Sequence, residues 1–166
     1  EDPLGKIAPG TLVAWHAAPG SYAEQVAVDR NRLVAVPEGV APEVAASMLL
    51  QGMTSHYLLH GVRETKPGDT MVVTAGAGGV GLILTQMAAA EEATVYSVVS
   101  TDEKEKLAYE AGATKVFRYG EDLAEQIKAE NGGGVDVVYD GVGQDTFAMC
   151  LNVTRPRGLA CSFGSA

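Results

Sequence analysis

The run Thr70-Met71-Val72-Val73-Thr74-Ala75-Gly76-Ala77-Gly78-Gly79-Val80-Gly81-Leu82-Ile83-Leu84-Thr85-Gln86 constrains the fold more than any other stretch of this 166-residue chain. A β-branched apolar segment of strand length ends in four closely spaced glycines, and an apolar, helix-like segment follows at once. Gly76, Gly78 and Gly81 satisfy G-x-G-x-x-G after a strand and at the opening of a helix, the context in which that pattern marks a dinucleotide-binding turn. The first glycine allows the tight turn, the second lets a pyrophosphate approach the backbone, and the third lets helix and strand pack closely. Free N–H groups and the positive end of the helix dipole would then hold the anion. A glycine-rich strand–helix turn without any ligand is the plainer reading of the same residues.

The rest of the chain supports an α/β fold, a doubly wound parallel sheet of Rossmann type. After Pro67-Gly68-Asp69, strand-like segments at 71–74, 94–99, 115–119, 135–140 and 159–163 alternate with helix-like segments at 80–91, 102–111, 122–129 and about 145–153. Such alternation, with near-continuous apolar strands, implies a parallel sheet covered on both faces. Five strands result where a complete dinucleotide fold has six, so the chain is expected to stop one strand early. Residues 11–18, 21–28 and 33–36 read instead as short strands broken by Pro19-Gly20 and Pro37-Glu38-Gly39, a β-rich piece too small to stand alone. From Pro42 a helical pattern runs through Ala45, Met48, Leu49, Met53, Tyr57, Leu58 and Leu59, with Gly61 as its expected stop.

Charge and cysteine usage exclude several classes. A net charge of −9 argues against nucleic acid or an anionic membrane as partner, since both need basic patches. No apolar run reaches membrane-spanning length, and Glu1–Lys6 does not read as a signal peptide. Cys150 and Cys161 are too few for a disulfide framework or a zinc site, which favours a cytoplasmic protein. His56 and His60 stand four apart, but with no third ligand nearby they read as ordinary helix residues, so no metal is expected.

The second strand of the sheet decides which dinucleotide. In NAD-binding versions an acid about 20 residues beyond the glycines bonds the ribose 2′-hydroxyl. Here the strand ends Val99-Ser100, followed by Thr101-Asp102-Glu103-Lys104. A hydroxyl residue with a lysine on the first helical turn suits a 2′-phosphate, so NADP is preferred. Ser100-x-x-Glu103 is also a good capping box, and Lys104 is equally placed to pair with surface acids.

Six motifs occur in order: Gly20-Ser21-Tyr22-Ala23-Glu24, Leu50-Gln51-Gly52-Met53-Thr54, Ala77-Gly78-Gly79-Val80-Gly81, Val137-Val138-Tyr139-Asp140, Arg157-Gly158-Leu159 and Ser162-Phe163-Gly164. With them the chain resembles the NADPH:quinone oxidoreductases, the zeta-crystallin branch of the zinc-free medium-chain dehydrogenase/reductases, from about Gly10 onward. The resemblance implies a fragment: residues 1–45 ending a β-rich, GroES-like catalytic domain, and 46–166 forming an incomplete NADP-binding Rossmann domain. It also implies the sites. Thr54 would sit beside the nicotinamide, and Gly78, Gly79 and Val80 would face the pyrophosphate, in a cofactor-binding turn with Gly76, Ala77 and Gly81. Ser100, Lys104 and Tyr119 would meet the 2′-phosphate and its ribose. Val142, Phe163, Gly164 and Ser165 would approach the nicotinamide. Many members have glycine at the Ser100 position and asparagine at that of Ser165. The implied chemistry is hydride transfer from NADPH to a quinone or enone, in a homodimer when intact. Enal or enoyl-thioester reduction, and cofactor binding without activity, are the alternatives. Tyr22 and His16 are the polar groups of the β-rich piece, and neither reads as catalytic.

Overall fold

A computed structural model describes residues 7–165; the segment Glu1–Lys6 lies outside the described residues. The chain divides into two compact units, Glu1–Met53 and Thr54–Ala166. In the first, β1 (Val13–Ala14) pairs antiparallel with β2 (Val34–Ala35). These strands are shorter than the sequence suggests, and residues 21–28 form no strand at all. The turn before this stretch is held by side chains. Trp15 donates to the Ser21 hydroxyl, which donates to Ala18 O, and Arg32 donates to Ala17 O. Helix α1 (Pro42–His56) crosses the boundary between the units and continues as one wider, π-helical turn, Tyr57–Val62. The helical run ends at Val62, one residue past the Gly61 expected to stop it.

The second unit is a five-stranded, wholly parallel sheet: β3 (Thr70–Val73), β4 (Thr94–Val99), β5 (Lys115–Arg118), β6 (Val135–Asp140) and β7 (Thr154–Ser162), ordered β5-β4-β3-β6-β7. Four helices connect them: α2 (Gly79–Ala90), α3 (Asp102–Glu110), α4 (Leu123–Asn131) and α5 (Phe147–Val153). Strand side chains alternate between faces. Met71, Val73, Val95, Val137 and Tyr139 pack against Leu58, Leu59, Leu84 and Ala88. Val72, Tyr96, Val98, Phe117 and Val138 pack against Leu123, Ala124, Ile127, Cys150 and Val153. On α2 the buried positions Gly81, Leu84, Thr85 and Ala88 follow the i, i+3, i+4, i+7 stripe that turns one helical face inward.

Strand order reverses between β3 and β6, so the helices leaving their C-terminal ends diverge and open a crevice. Two threonine–aspartate pairs fasten this seam. Thr70 donates to Asp136 through N and Oγ1 at 2.8 and 2.9 Å, and Thr74 Oγ1 donates to Asp140 at 2.7 Å. β7 begins five residues earlier than the sequence pattern indicates, with a register irregularity between the pairs Val135↔Thr154 and Val137↔Leu159. Arg157 takes a φ of 66° within it. That irregular stretch hides the first part of the strand from a period-2 reading.

Candidate functional site

The turn between β3 and α2 is set by close approach. A Cβ on Gly76 would lie 2.8 Å from the Ser97 side chain, and one on Gly81 would lie 2.4 Å from Ala75 O. The left-handed residue of the turn is Ala75, with φ 48°, rather than Gly76. For alanine that conformation costs roughly 1–2 kcal/mol, and its N–H is held by the Tyr119 hydroxyl oxygen at 2.8 Å. Gly76 N donates to Val98 O and Gly78 N to Ala75 O. The half-buried Ala77 packs on the Val99, Ala108 and Ala113 cluster. Gly78, the N-cap of α2, supplies no side-chain cap. The amides of Gly79, Val80 and Gly81 precede the first intrahelical donor, Leu82 N, which bonds Gly78 O. Gly78 and Gly79 are exposed, so this uncapped helix start offers free N–H groups and a positive dipole end to an anion.

At the end of β4 the N-cap of α3 is Thr101, not Ser100: Thr101 Oγ1 accepts from Lys104 N. Ser100 is free of the capping task, and its Oγ accepts from Lys104 Nζ at 3.1 Å. A hydroxyl and an ammonium thus share one exposed corner. Nearby, Arg118 Nη2 donates to Asp102 and Glu105, 2.6 Å each.

Tyr119 and Val142 come together in a cleft of about 420 Å³ with Gly120, Leu123, Asp145, Thr146 and Met149. Burial raises the Tyr119 phenol, and the Ala75 N–H that it accepts offsets part of that shift. The loop carrying Val142 is organised by the buried Asp140. Its carboxylate accepts from the hydroxyls of Thr74 and Thr146 (2.7 Å each) and from the amides of Val142 and Gly143 (3.2 and 3.0 Å). Gly141 N donates to Thr74 Oγ1, which ties the loop back to β3. Among the described residues no buried side-chain polar atom lacks a partner.

Phe163-Gly164-Ser165 lies against the same loop. Phe163 N donates to Asp140 O, and a Cβ on Gly164 would lie 2.8 Å from Gly141 O. Thr54 is half-buried, and its neighbour Ser55 donates to Val80 O at 3.4 Å. The sequence reading assigned no role to Asp140, Thr74, Thr146 or Arg118. For the first two the available signal was a polar residue closing each of two apolar strands.

In the first unit an apolar cleft of about 720 Å³, lined among others by Leu12, Trp15, Tyr22 and Pro42, holds no charged side chain. His56 and His60 rings lie 4.4 Å apart, and His60 meets Glu91 at 3.2 Å. Among the described residues no group of three His, Cys, Asp or Glu side chains is placed to hold a metal. No helix among them is long and apolar enough to cross a membrane.

A parallel sheet with the 3-2-1-4-5 strand order, a glycine turn at its first strand and an uncapped helix start defines a Rossmann-type α/β domain. The profile of one family, zinc-binding dehydrogenase, matches residues 79–166. The chain belongs to that family. It is 39% identical over 160 residues to a quinone oxidoreductase of Pseudomonas aeruginosa, covering 95% of this chain and 49% of that protein. It is 38% identical over 151 residues to a 2-haloacrylate reductase of a Burkholderia species, covering 89% and 45%. The Escherichia coli quinone oxidoreductase solved in complex with NADPH superposes with a TM-score of 0.78 at 41% identity, covering 81% of this chain and 42% of that one. The chain spans about half the length of the curated relatives that it matches. The family takes its name from zinc, but the described side chains offer no donor set for it.

Proposed function

We propose that this chain is the NADPH-binding part of an oxidoreductase that passes hydride to a quinone or a related conjugated carbonyl. The observation that carries this reading is the Lys104 ammonium on the Ser100 hydroxyl, at the same sheet end as the uncapped start of α2. A 2′-phosphate finds a cation and a hydroxyl there. A 2′-hydroxyl finds no carboxylate at the end of β4 itself. The names of the Pseudomonas relative and of the Escherichia coli complex support the same direction.

When bound, the cofactor supplies the hydride, and the protein supplies orientation. The amides around Gly78, Gly79 and Val80 hold the pyrophosphate, with Gly76, Ala77 and Gly81 shaping the turn. Ser100, Lys104 and Tyr119 hold the 2′-phosphate and its ribose. Thr54, Val142, Phe163, Gly164 and Ser165 border the nicotinamide and exclude water from it. Residues 1–45 are assigned to the end of a β-rich, GroES-like catalytic domain and 46–166 to the nucleotide-binding domain. The β1–β2 pair and the parallel sheet support that division. Transfer without zinc, quinone-reductase-type specificity, a cytoplasmic setting and a homodimer belong to the same proposal. Free Cys150 and Cys161 support the cytoplasmic setting, and the half-buried Leu159, Ala160 and Cys161 on the edge strand β7 support the homodimer.

Titration with NADPH and NADH, followed by NADPH oxidation at 340 nm with 1,4-benzoquinone or 9,10-phenanthrenequinone, tests the reading. Preferential NADPH binding and quinone-dependent oxidation are expected; binding of S-adenosylmethionine with none of NADPH overturns it. The Burkholderia relative favours a second reading, reduction of an activated C=C bond. Faster turnover of 2-alkenals or 2-haloacrylate than of quinones would select it.

A further inference from the structure

The corner that holds Ser100 and Lys104 has a charge problem. The first turn of α3 carries Asp102, Glu103 and Glu105 around a single lysine. A 2′-phosphate bears between one and two negative charges at neutral pH, and three carboxylates beside it repel it.

Arg118, the last residue of β5, is the group that alters the balance. Strand pairing sets it opposite Val99 at the end of β4. From there its Nη2 reaches Asp102 Oδ1 and Glu105 Oε2, 2.6 Å each. One guanidinium therefore bridges two of the three carboxylates and cancels one of their two charges. The third, Glu103, keeps its negative charge: its own amide and the Thr101 hydroxyl hold its carboxyl below the usual range. Lys104 is then left as the cation presented with Ser100. The Arg118 side chain is 35% exposed and that of Asp102 98%. The cluster sits at the surface, and its alteration leaves the core of the sheet untouched.

We infer that Arg118 sets the preference for a 2′-phosphate over a 2′-hydroxyl, as a positioning residue that acts by bridging Asp102 and Glu105 and offsetting part of their negative charge. This rests on the NADPH reading above and names a determinant that lies outside the Ser100, Lys104 and Tyr119 set. A guanidinium keeps its charge at every pH at which the two carboxylates are ionised, so the compensation is permanent. A purely structural tie between β5 and α3 would change stability while leaving the NADPH-to-NADH affinity ratio alone.

Calorimetric titration of the 166-residue chain with NADPH and with NADH separates these roles. Arg118→Gln is expected to weaken NADPH about tenfold and NADH less than about twofold, as loss of one surface charge near a phosphate implies. Arg118→Lys, which keeps the charge, is expected to retain most of the preference. Adding D102N and E105Q to R118Q is expected to restore NADPH binding. An unchanged ratio in R118Q, equal weakening of both coenzymes, or no recovery in the triple variant overturns the inference. A wild type that binds no NADPH overturns the cofactor reading and this inference with it. A wild-type preference for NADPH that survives R118Q sinks only the role of Arg118.

Discussion

Replacing Gly81 with alanine sets two physical effects of opposite sign against each other. Alanine is the better helix former by about 1 kcal/mol, and Gly81 lies inside α2. The new Cβ, however, would stand 2.4 Å from Ala75 O and 2.8 Å from Gly76 C and O, where ordinary contact begins at 3.4 Å. Every one of these neighbours is backbone, so relief means moving the turn by about 1 Å, and overpacking of that kind costs roughly 1–3 kcal/mol. The net expectation is destabilisation of about 1 kcal/mol, a Tm lower by roughly 3 °C. The displaced turn should also bind NADPH at least about tenfold more weakly. Gly78→Ala is the control. Its φ of −79° and ψ of 173° suit alanine, and the nearest neighbour of its Cβ is Ala75 O at 3.1 Å. Stability should stay within about 0.5 kcal/mol, while the methyl group blocks the approach of the pyrophosphate. Thermal unfolding and calorimetric titration of both variants give the answer. A G81A protein with a raised Tm, or a G78A protein that binds NADPH like the wild type, would refute the account of the turn.

Three further expectations follow from the same contacts. Tyr119→Phe removes the acceptor of the Ala75 N–H and should lower stability by about 1 kcal/mol, read from the denaturation midpoint at constant m-value; unchanged stability would show that the bond does not hold the turn. Asp140→Ala leaves two hydroxyls and two amides without their acceptor and should cost at least about 3 kcal/mol, with Asp140→Asn intermediate in the same assay. The carboxyl of Asp69 is held below its ordinary 3.8, chiefly by the Arg63 guanidinium. That of Asp136 lies below 3.8 because bonds from Thr70 and Arg155 outweigh its burial. Groups with depressed folded values stabilise fully above the unfolded value and lose that contribution as pH falls through the folded one. Tm should therefore hold down to about pH 5 and drop below about pH 4, and Arg63→Gln should shrink the drop; an identical acid limb in R63Q would exclude this pair as its source.

Much of the second unit was legible because its signals are local. β4 and β6 are near-continuous apolar runs with the bounds their sequence suggests, and α2 follows the glycines directly. The first unit was less so. The alternation at residues 21–28 resembles a strand, but strand formation needs a partner, and β1 pairs with β2 (Val34–Ala35) rather than with this stretch. The cap of α3 was misread by one residue because Ser100 and Thr101 offer the same hydroxyl chemistry; only backbone geometry tells which of them meets Lys104 N. The close packing expected of Gly81 is present, whereas the contact of Gly76 with Ser97 was not legible in the sequence. Close approach of Ser97 and Ala75, on segments apart in sequence or folded back, requires them. Arg118 and Asp140 stayed hidden because their partners are brought near by strand pairing, which no local pattern records.

The seam fastened by Thr70–Asp136 and Thr74–Asp140 has a kinetic meaning. β3 meets β4 through a short crossover, Thr70 opposite Thr94, whereas both threonine–aspartate pairs join residues 66 apart. Closing the longer loop costs about 0.9 kcal/mol more in chain entropy, and neither half of the sheet lowers that barrier alone. The two halves, β3-β4-β5 and β6-β7, are thus natural early units, and their joining is the natural slow event in refolding. The crevice at the strand-order reversal opens along this same line, so the place where a ligand would lodge is also the last part of the sheet to come into existence.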